Sequence, residues 1–235
     1  MKIKTLVFAS LFSLPFLLSA QVGHRTELIS TEAHFSVGLT YQSFEDLNAE
    51  LTSLDLPMLS PYTTSFGYGG SVLLNKLVLG GQGSIYINKN TMPGGLYLNF
   101  LSGSGGVFAG YSLFRKKGTM IYPTMGFNYG GEQFHIASHS EDFILLGSQR
   151  FDSALKSRGQ SGALSFELNF DTYRKPTSGP GLVVGLTMGY YHRLSPGHIR
   201  FEDEEGRLFR KMSFTNGGMF SAGLKIGLGT FSVQQ

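Results

Sequence analysis

Eight stretches of this chain alternate apolar and polar side chains with a period of two, and the breaks between them fall into markedly different lengths. Such alternation sends successive side chains to opposite faces of an extended strand, so each stretch has one apolar and one polar face. The first runs from His34 to Ser43, with Phe35, Val37, Leu39 and Tyr41 opposed to His34, Ser36, Gly38, Thr40 and Gln42. The second, Ser65 to Leu74, and the third, Leu77 to Asn88, are joined by a tight Asn75-Lys76 turn. In the third, Leu77, Leu79, Ile85 and Ile87 oppose Gln82, Ser84 and Tyr86. The fourth, Tyr97 to Phe114, leads through a turn at Arg115 to Gly118 into the fifth, Thr119 to Ile136. Pro123 is awkward there, because it has no amide hydrogen to give to a ladder. The sixth, Ala163 to Tyr173, alternates most regularly; the seventh covers Leu182 to His192 and the eighth Gly218 to Phe231.

An even number of strands puts both chain ends at one rim. The breaks after strands two and four are short, and those after one, five and seven are long. Those after three and six are intermediate. Short turns on one rim and long loops on the other are what a membrane barrel shows, and hydrocarbon tolerates no open sheet edge, so the barrel must close. The expected fold is therefore all-β, an eight-stranded antiparallel up-and-down transmembrane β-barrel. A water-soluble barrel or sandwich built of the same hairpins, with the apolar face turned inward, is the alternative.

The start of the chain agrees with export. Lys2 and Lys4 precede an apolar stretch from Leu6 to Leu18, and Leu18-Ser19-Ala20 offers a cleavage site before Gln21. Residues 1–20 are expected to be a signal peptide and 21–235 a single barrel domain. No later stretch reads as a spanning helix. Glycine (32 residues) and the phenyl rings of 20 Phe and 11 Tyr are abundant, and cysteine and tryptophan are missing. The glycines have no collagen period and sit among bulky residues, as curved sheets require. Without cysteine there is no disulfide framework and no lipid-modified cysteine. The formal charge of +3 includes Lys2 and Lys4, and no basic stripe is continuous, so nucleic acid is not an expected partner.

On these residues the chain resembles the small eight-stranded outer-membrane barrel proteins of bacteria, including those of Bacteroidetes. The resemblance is one of pattern along nearly the whole mature chain. It implies insertion in the outer membrane, contact with outer-membrane lipid or lipopolysaccharide, and a last strand ending on an aromatic residue. Phe231 fills that place, although Ser232 to Gln235 follow it. Tyr41, Tyr68, Tyr111, Tyr129 and Tyr190 stand in for the missing tryptophans as interfacial rings.

Candidate functional residues divide into lumen and loop. Gln82, Glu167, Asn169, Asp171 and Lys225 fall on the polar faces and form a possible lumen network, read first as internal charge pairing and second as a polar path. Strand eight is not the neighbour of strand six, so a Lys225 bridge is expected to cross the interior. His34, His192 and His198 show no convergence in register with a serine or metal ligand. Arg200, Glu202, Asp203, Glu204, Glu205 and Arg207, with Arg210 and Lys211 beyond, mark a charged outer loop without the ligand spacing of a calcium site. It reads as a solvated hairpin or as a contact for cations or headgroups. The first long break, Phe44 to Thr64, mixes Leu47, Leu51, Leu54, Leu56 and Met58 with acids, as a short helix capping one mouth does. The break from Ala137 to Gly162 carries His139 and then Phe143 to Leu146. The runs Gly67 to Gly70 and Ser102 to Gly106 lack the Gly-Lys-Ser/Thr of a phosphate loop.

No cofactor and no catalytic residue is expected. The leading function is non-enzymatic, envelope integrity or surface interaction through the long loops with an unidentified surface or envelope protein. A narrow channel or transport accessory and a secreted soluble β-protein binding a hydrophobic ligand remain alternatives.

Overall fold

A computed structural model describes residues 28–91, 96–116, 118–138, 144–146, 149–151, 155–174, 180–194, 197–202, 208–214 and 218–231. The expected signal segment at 1–20 lies outside them. Eleven strands form one sheet, and three of these are short additions at 114–116, 197–202 and 208–214. The other eight are β1 (Leu28–Gln42), β2 (Tyr62–Leu74), β3 (Leu77–Thr91), β4 (Leu96–Tyr111), β5 (Thr119–Ser138), β6 (Leu155–Arg174), β7 (Gly181–Arg193) and β8 (Met219–Phe231). Each pairs antiparallel with its neighbours in sequence, and β8 pairs with β1, so the barrel is closed and up-and-down.

The register fixes its dimensions. From Tyr41, successive partners Phe220, Tyr190, Phe166, Met125, Ala109, Leu79 and Val72 lead back to β1 at Thr31, ten residues away. With ordinary strand spacings, that offset tilts the strands by about 40° and gives a backbone radius of about 8 Å, an interior that side chains fill.

Burial shows which face looks outward. Phe35, Val37, Leu39, Phe66, Val107, Met125, Phe127, Leu186, Met188, Leu224 and Ile226 are all exposed, Phe35 to 64%. The alternate positions hold Glu32, Thr40, Asn88, Thr124, Asn128, Asn169, Asp171 and Lys225, all buried. The apolar face therefore surrounds the barrel and the polar face fills it, the reverse of a water-soluble barrel, and a transmembrane one. On β8 the apolar face runs from Leu228 to Phe220, roughly 26 Å along the strand and about 20 Å along the barrel axis. Tyr41 stacks against Tyr62 at the long-loop rim, ring centroids 5.5 Å apart, and Tyr111 lies at the opposite rim with Lys76 near its face. Tyr68 instead sits within the apolar belt, opposite Phe35.

All eight expected segments are strands, with shifted ends. The fourth stops at Tyr111, and Phe114–Lys116 turns back on Thr119 to Ile121 through Gly118, whose positive φ of 83° suits glycine. Pro123 is accommodated because the β4–β5 ladder ends at Gly110–Thr124, just before the position where its amide is missing. The break between β3 and β4 is 92–95, short and not intermediate, since both strands run on beyond their expected ends.

The strands β4, β5 and β6 rise beyond the rest at the long-loop rim; 197–202 pairs onto β6, and 208–214 onto 197–202, to extend that wall. Helix α1 (Glu45–Ser53) follows β1 and lies over the mouth. Its Leu47 and Leu51, with Phe44, Leu54, Leu56 and Leu59, are buried against the inward-facing Leu98, Phe100, Phe134 and Ile136 of the raised wall. The leucines of this loop thus pack on each other and also on the barrel; only Met58 among them is exposed. Asn48 braces the return of the chain, its amide donating to the Leu59 carbonyl at 2.9 Å and its oxygen accepting from the Leu59 amide at 2.7 Å. Asn88 and Asn90 of β3 donate to the carbonyls of Ser60 and Met58 and fasten the loop to the rim.

Candidate functional site: the barrel lumen

The lumen is a stack of side-chain layers. At the turn rim, Leu73, Val78, Met120, Tyr122, Tyr173 and Val183 form an apolar plug. Above it lies the charged layer. Lys225 of β8 reaches Asp171 of β6 with Nζ 2.7 Å from Oδ1 and 2.9 Å from Oδ2, and also donates to Asn169 Oδ1 at 3.2 Å. Tyr122 donates to Asp171 at 2.5 Å and accepts from Lys225 at 3.1 Å, while Tyr173 donates to Glu32 at 2.6 Å. His34 Nδ1 lies 3.4 Å from Glu32.

The Lys225 bridge does not cross the interior as expected. It passes over β7 alone, because the residue between is Gly185, partner to Asp171 on one side and Lys225 on the other. A Cβ at Gly185 would overlap Asp171 Oδ1 and lie 2.7 Å from the Phe170 carbonyl and 3.1 Å from Lys225 Cε. The missing side chain is thus what lets the two charges meet.

Gln82 and Glu167 belong to the next layer up. Gln82 Nε2 donates to Glu167 Oε1 at 2.6 Å and Tyr191 donates to the same oxygen at 2.7 Å, closing the section between two cavities of about 60 and about 50 Å³. Space of that size holds a few waters. The Ser84–Ser104 and Asn128–Ser165 hydrogen bonds continue the stack. Nearest the cap, the guanidinium of Arg193 pairs with both carboxylate oxygens of Glu132.

The structure therefore brings the five expected lumen residues into two adjoining clusters, Gln82–Glu167 and Asn169–Asp171–Lys225. Sequence reading missed Glu32, because the first segment was begun at His34, and the Glu132–Arg193 pair, whose members sit near strand ends where alternation fades. Tyr122 lies on the inward, polar face of β5, where alternation alone does not mark a tyrosine as a charge partner. His192 lies on the outer face near Tyr190, away from His34, and the side chain of His198 lies outside the description. Among the described residues no group of His, Cys, Asp and Glu has metal-binding geometry. Of the charged outer loop, Arg200 and Glu202 lie on strand 197–202, while Asp203, Glu204, Glu205 and Arg207 lie outside the described residues, as do His139 and Phe143.

No protein-family model matches the chain, and neither does any curated protein. Among solved structures the chain is similar to Ail, the attachment invasion locus protein of Yersinia pestis, in complex with the heparin analogue sucrose octasulfate (TM-score 0.48, 11% identity, 86% of this chain and 99% of that one). It is similar also to neisserial surface protein A (TM-score 0.45, 13% identity, 88% of this chain and 99% of that one). At these values the closed barrel rests on the strand register itself.

Proposed function

We propose that the protein is a non-enzymatic barrel of the bacterial outer membrane, exported by a signal peptide at 1–20, whose work is done by the raised wall and loops through envelope integrity or surface interaction. The observation that carries this is a lumen interrupted by the Gln82–Glu167–Tyr191 contacts between two small cavities, with the Leu73–Val183 plug below and the α1 cluster above. A barrel that passes nothing through acts by what it presents outside the membrane. The exposed apolar belt supports insertion, since a soluble carrier of a hydrophobic ligand would turn that face inward.

A narrow channel draws support from the two axial cavities. Both readings are tested in planar bilayers with the purified, folded protein. The proposed function requires silence, in the parent and after the Glu167 charge in the Gln82–Glu167 contact is removed by Glu167→Gln. Steady conductance with altered ion selectivity in Glu167→Gln would instead establish the channel. Recovery of the protein in the soluble fraction, without a heat-dependent shift in gel mobility, would sink the membrane reading.

A further inference from the structure

Lys225, Asp171 and Tyr122 are all buried, and their contacts go beyond those of an ordinary ion pair. Nζ of Lys225 approaches both oxygens of Asp171, Oδ1 at 2.7 Å and Oδ2 at 2.9 Å. Two oxygens that flank one carbon at these distances put Nζ within about 3.2 Å of Cγ, a separation at which an amine can attack a carboxyl group. Oδ1 nevertheless accepts no hydrogen bond, so the ammonium is not aligned as a donor to it. Tyr122 adds a short proton relay. Its hydroxyl accepts from Lys225 Nζ at 3.1 Å and donates to Asp171 Oδ2 at 2.5 Å. Beside these groups is the cavity of about 60 Å³, which Lys225, Tyr122 and Asn169 help to line. It has room for water.

We propose that Lys225 and Asp171 condense after folding into an amide that ties β8 to β6 across β7. One proton passes from Nζ through the Tyr122 hydroxyl to Oδ2 and leaves a free amine. Nζ then bonds to Cγ, its second proton follows to Oδ2, the Cγ–Oδ2 bond breaks, and water departs into the cavity. The nitrogen keeps one hydrogen and Oδ1 remains as the amide carbonyl, so the step needs no oxidant, reductant or co-reactant. Two features of the site favour it. The fold holds the reacting atoms together, and well-oriented groups react as if present at about 10⁵ M or more. An ammonium and a carboxylate taken out of water also carry a desolvation penalty that a neutral amide does not. Asn169 Oδ1 lies 3.2 Å from the same Nζ, so its side chain is the competing acceptor and releases ammonia in place of water.

The test is the mass of the chain from 21 to 235, folded in detergent and sampled over days, beside the same chain kept in urea, where the groups never meet. The folded chain is expected to become lighter by one water. Trypsin, applied after unfolding, is expected to leave the Lys225–Ile226 bond uncut and to yield one branched peptide from 159–174 and 212–235. Lys225→Arg keeps the charge but offers no attacking amine, so it is expected to keep its full mass. Asp171→Asn is expected to lose ammonia in place of water. Tyr122→Phe removes the relay alone and is expected to slow the appearance of the branched peptide by about a hundredfold or more. A heat-dependent gel shift in every sample shows that the barrel has formed. Full mass in a shifted parent sample, or free cleavage after Lys225, overturns the amide. Water lost equally from Lys225→Arg places the loss elsewhere and overturns it as well. A branch carried by Asn169, marked by the loss of ammonia, overturns Asp171 as the acceptor, and a parental rate in Tyr122→Phe overturns the relay.

Discussion

Asp171 and Lys225 are 0% and 3% exposed, so each is affordable inside the barrel only because of the other. Replacing Lys225 with Met strands the Asp171 carboxylate, and breaking a buried pair in this way costs about 3–5 kcal/mol. Urea unfolding of the detergent-folded barrel should show that loss, and Asp171→Asn added to Lys225→Met should return a large part of it. Gly185→Ala attacks the same contact sterically and should cost about 1–3 kcal/mol, as overpacking does. Gly81→Ala is the control, because a Cβ there meets only the Gly106 carbonyl at 3.4 Å. If both alanines behave alike, Gly185 is not what holds the pair together. The charges themselves were legible from alternation: Glu167, Asp171 and Lys225 fall on polar faces and all point inward. Their partners were not, because the Lys225–Asp171 contact depends on an empty position between them on β7, which no pattern within either strand reveals.

At the scale of elements, strand number and order could be read because period-two alternation survives in all eight segments, most regularly in β6. Strand ends could not. Above the membrane, both faces of β4, β5 and β6 lose the alternation that lipid imposes, and the inner face becomes apolar at Leu98, Phe100, Phe134 and Ile136. That reversal makes sense only with α1 in place, a partner separated from them by most of two hairpins. The cap is therefore an element with its own core, joined to the barrel at one wall. Leu51, fully buried there, should cost about 2–5 kcal/mol on truncation to Ala. The loss should be confined to the cap. Limited proteolysis should cut Leu51→Ala within the 43–61 loop faster than the parent, while the barrel keeps its heat-dependent gel shift. Loss of that shift at the same time would mean that the barrel needs its cap to form.

For the whole molecule, the reversed arrangement of polar inside and apolar outside has a consequence that separates lipid from water as the surrounding medium. Leu224 lies midway along the apolar face of β8 and is 58% exposed in the isolated protein. Were water outside, Leu224→Arg would be an ordinary surface exchange, within about 0.5 kcal/mol of neutral. With hydrocarbon outside, an arginine near the midplane costs about 2–4 kcal/mol, and the cost falls toward the interfaces. Phe220→Arg, at the upper end of the same face and in register with Tyr41 and Tyr190 among the rim rings, should accordingly cost less than Leu224→Arg. The comparison is to be made by reversible unfolding in lipid vesicles. A depth profile that peaks at Leu224 places the belt in the bilayer and fixes how high the barrel sits. Equal and negligible penalties at the two positions would leave the apolar face without a membrane to explain it.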